Sequence, residues 1–259
     1  MAAVATLLES RSAVQALRRT LPKDGPRVVA CRTPTGLRRV LHARLVDAVV
    51  LAPAAAAGGA AAELDALRGQ LPGIPVLVYA GFRADDGELL LACQRHAVAA
   101  VVVEGVDDAV AGDLVTRHSL TTARRRALAD APRVLRLTEP LQRAAWDLLV
   151  RDVERPVRTG SLARQLAVSR EHLSRQFGAG GAPNLKRVID LTRVACAAQL
   201  LQNPGYSISS VVRLLGYASS SHLAGTTRRI ASVPPSRLAE LGPRGVLAAF
   251  ARGNTRSRM

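Results

Sequence analysis

Cysteine is scarce in this chain. Its 259 residues include three, Cys31, Cys93 and Cys196. They are too few and too scattered for a disulfide framework or a zinc site. Each lies in an apolar run, where a buried, unreactive thiol is expected. Long uncharged apolar runs are missing too: none reaches the roughly 18 residues that a membrane span needs. The opening stretch, MAAVATLLESRSAV, has no basic segment ahead of a long apolar run and no clear cleavage site, so no secretory signal is expected. A reducing cytoplasm is the expected compartment. Acidic residues are the third shortage, 20 against 36 Lys and Arg, which leaves a net charge of +16.

That charge is unevenly placed. Residues 1–132 hold 16 Lys and Arg against 13 Asp and Glu, whereas residues 133–259 hold 20 against 7. Coding bias explains why most of the cations are Arg, but it does not explain the difference between the halves. The asymmetry predicts a polyanionic partner for the C-terminal half.

In the first half, Val-rich apolar runs of strand length alternate with helical patterns. AAVATLL (2–8), RVVAC (27–31), DAVVLA (47–52), IPVLVYA (74–80) and AAVVV (99–103) suit strands buried on both faces of a parallel sheet. Between them stand Val14, Leu17 and Leu21; Leu37, Val40 and Leu41; Leu64, Leu67 and Leu71; and Leu89, Leu90 and Cys93, each group at helical spacing. Five strands alternating with helices predict a doubly wound α/β sheet over residues 1–125.

The order VVACRTPTGLRRVLHARLVDAVVLAP, LPGIPVLVYAG and HAVAAVVVEGV resembles the receiver domain of bacterial response regulators. That family needs an acidic pair after strand one to hold magnesium through carboxylate oxygens. It also needs a phosphoryl-accepting Asp after strand three, a hydroxyl after strand four and a Lys after strand five. By this resemblance those positions fall on Glu9 and Ser10, Ala52, Ala80 and Glu104, so the chemistry is nearly gone. Asp47 lies five residues before the acceptor position and does not replace it. The resemblance implies a pseudo-receiver that is not phosphorylated and serves dimerisation, partner docking or ligand coupling.

RHSLTTARRRALADAPRVLRLT (117–138) ends in a charged connector, read as a linker over 126–138. The run Arg124, Arg125 and Arg126 is expected on a solvated helix face. PLQRAAWDLLVRDVERP then repeats apolar residues at helical spacing, with Trp146 expected in the core.

The stretch TGSLARQLAVSREHLSRQF (159–177) reads as two short helices joined by a tight turn. Ser161 is a cap candidate for the first and Ser169 for the second. In the second helix Leu173 and Phe177 face inward, while Glu171, Ser174 and Arg175 point outward and His172 lies at the side. APNLKRVIDLTRVACAAQLLQN follows as a long amphipathic helix stopped by Asn203, Pro204 and Gly205. Then ISSVVRLLGYASSSHLAGTTRRI repeats the two-helix pattern, with Gly216 ending its first helix and with Leu223 and Ile230 anchoring the next.

SLARQLAVSREHLSRQF, RVACAAQLL, ISSVVRLLGYASSSHL and VPPSRL resemble the DNA-binding domain of the AraC/XylS family of bacterial transcriptional regulators, over about residues 139–242. The resemblance implies two helix-turn-helix units entering successive major grooves of double-stranded DNA, within a domain read as 139–250 and followed by a flexible basic tail, 251–259. It places base readers at Glu171, Ser174 and Arg175, where Arg175 suits guanine and Glu171 suits cytosine. Arg170, His172, Lys186 and Arg187 become phosphate contacts, which fix position rather than sequence. The second unit departs from the family. Its outward positions fall on Ser220, Ser221, Ala224 and Gly225, with no Arg at the last. Thr227 holds the expected inward aromatic position, and Ser232 that of the usual glycine. It reads as a weak reader through Ser220 and Ser221 and mainly as an electrostatic clamp, with His222, Arg228 and Arg229 on phosphates.

No enzyme is expected. FGAGGAP (177–183) follows a helix rather than a strand and lacks the Lys-Ser/Thr ending of a phosphate loop. No metal or cofactor is expected either. RNA polymerase or another regulatory protein is the expected protein partner, a homodimer is an option, and no membrane contact is foreseen. The alternative is a regulator that has lost specific DNA binding and acts through protein contacts.

Overall fold

The computed structural model describes residues 2–52, 61–82, 87–153 and 157–256. The chain divides into two compact units. One comprises Met1–Ala123 with Asn203–Tyr206, the other Arg124–Gln202 with Ser207–Met259.

The first unit alternates strand and helix: β1 Ala3–Leu7, α1 Arg11–Thr20, β2 Arg27–Cys31, α2 Pro34–Ala43, β3 Val46–Leu51, α3 Ala61–Gln70, β4 Val76–Ala80, α4 Gly87–Arg95, β5 Ala100–Val103 and α5 Ala111–His118. All four strand pairings are parallel, in the order β2-β1-β3-β4-β5. This is the doubly wound order of the flavodoxin-like and receiver folds. Every residue of β1, β3 and β4 is buried, as central strands covered on both faces should be, whereas the terminal strand β2 is partly exposed.

Local chemistry starts the helices. Ser10 Oγ accepts the Ala13 amide at 3.2 Å to begin α1, and Thr33 Oγ1 accepts that of Gly36 at 3.1 Å to begin α2. On one sheet face α1 and α5 pack Leu17 and Val115 with Val4, Val50, Leu77 and Val102. The two helices approach so closely that a Cβ on Gly112 would lie 2.3 Å from the Thr20 backbone, so that place admits only glycine. Asp47 is structural: its buried Oδ1 accepts the Thr121 amide and hydroxyl, each at 3.0 Å. The three leucines 89–91 cannot share one face, since neighbours on a helix stand about 100° apart. Cys93 is buried but Leu90 is not, contrary to its expected inward place. The side chains of Leu64 and Leu89 lie outside the described residues.

The second unit is helical, and the division from the first falls inside α6 Leu120–Ala127. Then come α7 Ala131–Val134, α8 Pro140–Arg151, α9 Thr159–Gln165, α10 Arg170–Phe177, α11 Leu185–Leu201, α12 Ile208–Leu214, α13 Ser220–Ala231 and α14 Leu238–Arg256. Helix α14 breaks at Gly242 and continues through residues 251–256, most of the stretch expected as a tail; 257–259 lie outside the described residues. The hub is α11, buried without interruption from Val188 to Leu200. It is therefore not the one-sided amphipathic helix that the sequence predicts. Ala195, Cys196, Ala197 and Ala198 are small enough to let neighbours close on every side, and α14 packs Val246, Leu247 and Phe250 among the buried residues.

Arg124 corrects another expectation. It is fully buried, with Nε donating to Gln199 Oε1 at 3.0 Å and Nη1 to the Val150 carbonyl at 3.1 Å. Only Arg125 and Arg126 of that run form the solvated face. Trp146 is buried. All three cysteines are buried and none is in a disulfide, and burial pushes the Cys31 and Cys93 thiols up, away from the reactive thiolate.

Candidate nucleic-acid interface

Two helical hairpins, α9–α10 and α12–α13, share one turn geometry. In the first, the amides of Leu166, Ala167 and Val168 donate to the carbonyls of Leu162, Arg164 and Ala163 at 3.1, 3.2 and 3.0 Å. In the second, those of Leu215, Gly216 and Tyr217 donate to Val211, Arg213 and Val212 at 3.0, 3.2 and 2.9 Å. Each is a helix end closed by a left-handed residue, Ala167 at φ +54° and Gly216 at φ +61°. Glycine meets that conformation without strain, so the second turn has the better residue for it. A serine then opens each following helix: Ser169 Oγ accepts the His172 amide at 3.1 Å, and Ser219 Oγ accepts that of His222 at 3.0 Å.

Ser161 is not the N-cap of α9. The helix begins at Thr159, and Ser161 stands in its first turn, where its hydroxyl donates to the Arg158 carbonyl at 2.8 Å and accepts the Arg158 amide at 3.3 Å.

The faces of α10 separate cleanly. Leu173 and Phe177 are buried, Arg170, Glu171, Ser174 and Arg175 are exposed, and His172 is half-buried. Among the described residues neither Glu171 nor Arg175 is tied up in an ion pair. On α13, Leu223 and Ile230 are buried, while Ser220, Ser221, His222, Gly225 and Arg228 are exposed. Thr227 is fully buried, with no hydrogen-bond partner for Oγ1 among the described residues. Ser232 ends the helix at φ +59°.

The remaining cations differ in freedom. Lys186 is exposed in the first turn of α11. Arg187 is half-buried, its guanidinium 5.0 Å from the centre of the Phe250 ring. Arg229 pairs with Asp190 of α11 at 2.9 Å. These two hold the unit together as well as offering charge.

Two residues that fix this interface escaped the sequence. Arg193 is buried in α11, where Nη2 donates to the Leu215 carbonyl at 2.8 Å and the guanidinium lies 3.9 Å from the Tyr217 ring centre. Tyr217 in turn meets the His222 ring edge-on at 5.4 Å. The start of α13 is thus registered against α11 through one guanidinium. Gln142, fully buried in α8, donates to the carbonyls of Gln176 and Phe177 and closes the end of α10. The one signal available was a long polar side chain inside an otherwise apolar pattern.

In the first unit, the positions aligned with receiver chemistry gather at the carboxyl ends of the strands. Glu9 is exposed beyond β1, Ala52 follows β3, Ala80 ends β4 and Glu104 follows β5. Glu104 accepts the hydroxyls of both Ser10 and Ser12. Among the described residues no group of His, Cys, Asp or Glu is arranged to hold a metal ion, and no helix is long and apolar enough to cross a membrane.

The chain thus joins a receiver-like α/β unit to a helical unit that carries two helix-turn-helix hairpins. Residues 162–240 match a family model described as a helix-turn-helix domain, of the AraC type. Among solved structures the chain is similar to full-length FixJ from B. japonicum, with 14% identity, a TM-score of 0.39, and coverage of 90% of this chain and 98% of that one. No curated protein matches it.

Proposed function

We propose that the protein is a sequence-specific DNA-binding transcriptional regulator of the bacterial cytoplasm that reads its site chiefly through α10. The observation that carries this reading is the division of α10 into a buried side, Leu173 and Phe177, and an exposed side of Glu171, Ser174 and Arg175. A short helix anchored in this way fits a major groove, with Arg175 set for guanine O6 and N7 and Glu171 for cytosine N4. Arg170 and His172 on α10 itself and Lys186 at the start of α11 serve phosphate contact, as His222 and Arg228 do on α13, where Ser220 and Ser221 are weak base readers. The exposed part of α13 offers serines, Gly225 and Arg228, so it acts mainly as a clamp.

The receiver-like unit acts without phosphorylation. Supporting this, Ala52 carries no acceptor oxygen, and Glu104 engages two serines where a Lys would be needed. Its role is dimerisation or coupling to RNA polymerase, to another regulatory protein or to a ligand.

Selection of bound sites from a random duplex library tests the reading. An enriched motif is expected for the full chain, Arg175→Ala should relax preference at one position, and Ser220→Ala with Ser221→Ala should barely alter the motif. The reverse pattern sinks the assignment of α10 as reader. No binding even at low salt would favour a regulator working through protein contacts alone.

A further inference from the structure

Charge is segregated inside the first unit. Residues 2–45 hold nine Lys and Arg against two acidic residues, whereas residues 46–123 hold four against ten. A coding bias toward Arg would act on both stretches alike. The basic stretch builds β1, α1, β2 and α2, and β2 is the terminal strand of the sheet, so the cations gather at one edge.

Arg18, Lys23, Arg27, Arg32, Arg39 and Arg44 are all exposed there, and among the described residues none of the six is ion-paired. Arg18, in the last turn of α1, suits the negative end of that helix's dipole. The dipole does not account for Arg27 at the start of β2, Arg32 just after it, or Arg39 in the middle of α2. Left to itself, such an edge repels itself, and an anionic partner offsets that cost.

We propose that the β2 edge is a second, sequence-independent DNA contact, which grips phosphates of the duplex flanking the recognised site. The proposal rests on the reading of the chain as a DNA-binding protein. The edge has the chemistry of phosphate binding and lacks that of the rival partners. Arg forks match phosphate oxygens, and phosphate contact needs no apolar anchor. A protein partner would need one at the centre of its interface. The exposed large hydrophobics among the described residues are Leu90, Leu91, Val106 and Val110, all outside this stretch. Single-stranded nucleic acid is held by stacking on aromatic rings, and residues 2–45 contain no Phe, Tyr or Trp.

The test compares the full chain with a variant carrying Arg27→Gln, Arg32→Gln, Arg39→Gln and Arg44→Gln. Each is titrated against salt on the selected site alone and on the site with about two helical turns of duplex, roughly 20 bp, on either side. For the parent, the slope of log K against log salt should be steeper on the long duplex. The variant should lose that excess, up to about 3 to 4 in slope at about 0.9 per phosphate, with its selected motif unchanged. The four Arg→Lys changes should restore it, which separates lost charge from lost fold. An unchanged slope on the long duplex overturns the proposal. So does a variant whose sedimentation alone changes, which would make the edge a contact between copies. If the parent selects no motif but the variant still loses slope, the sequence-reading function fails and the edge stands. If the motif is selected and the slope does not move, the edge alone fails.

Discussion

Gln142 donates its side-chain amide to the Phe177 carbonyl over 3.0 Å, so a residue of α8 closes the end of the helix that carries Arg175. The same amide reaches the Gln176 carbonyl at 3.1 Å, and Gln142 Oε1 accepts the Glu139 amide at 3.1 Å. Gln142→Met keeps the length of the side chain and leaves two carbonyls without their donor. It should destabilise the helical unit by about 1–3 kcal/mol. With α10 free to shift, the selected DNA motif should blur while nonspecific binding at low salt holds. A variant that loses stability but selects an undiminished motif would confine Gln142 to folding.

The two hairpins were legible because each signal is local. In each, a serine that opens the second helix and apolar residues four apart lie within about twenty positions, and in the second hairpin Gly216 marks the turn as well. The strands were legible for the same reason, as short Val-rich runs such as VLVYA. Gln142, Arg193 and Arg124 were not legible. The bonds they do make are to carbonyls or amides that the fold brings from 22 to 75 residues away, and nothing local marks the meeting. Arg124 misled because it stands beside Arg125 and Arg126, which really are solvated. The one-sided pattern expected of α11 failed because alanine counts as neutral in a helical wheel yet here admits close packing.

Thr227 places a hydroxyl in the core side of α13 without a partner for it among the described residues. A buried hydroxyl that loses water and gains no hydrogen bond costs roughly 1–3 kcal/mol. Thr227→Val has nearly the same shape and should therefore stabilise the protein by about 1 kcal/mol. Denaturant unfolding at constant slope measures this; a loss of stability would mean that the hydroxyl is satisfied by water.

Helix α13 has a glycine where a side chain is wanted and a side chain where a glycine is wanted. Gly225 lies inside the helix, exposed, and a Cβ there would meet nothing within 4 Å. Ser232 ends the helix in the left-handed region at φ +59°. Gly225→Ala should add about 1 kcal/mol through helix propensity. Ser232→Gly should add about 1 kcal/mol by relieving the left-handed cost. The two sites stand seven positions apart, roughly 10 Å along the helix axis at 1.5 Å per residue, so the double variant should show about the sum. A double variant no more stable than either single would show that the helix end frays before unfolding.

Tyr79 links the stability of the receiver-like unit to pH. Its buried hydroxyl donates to Asp108 Oδ1 at 2.6 Å, and the Gly105 amide donates to the same oxygen at 2.9 Å. The phenol bond, and then the amide, hold the Asp108 carboxyl below its ordinary 3.8, while burial pushes the phenol up. A carboxyl lowered by folding contributes stability that is present above its unfolded value and lost as pH falls through its folded value. Tyr79→Phe removes the larger cause and opens no cavity. The variant should be less stable than the parent at pH 7, and the gap should close as the pH drops below about 4, where carboxylates protonate. Urea unfolding followed by far-UV circular dichroism at several pH values reads the gap directly. A difference that stayed constant into acid would assign the loss to packing around the ring rather than to the bond with Asp108.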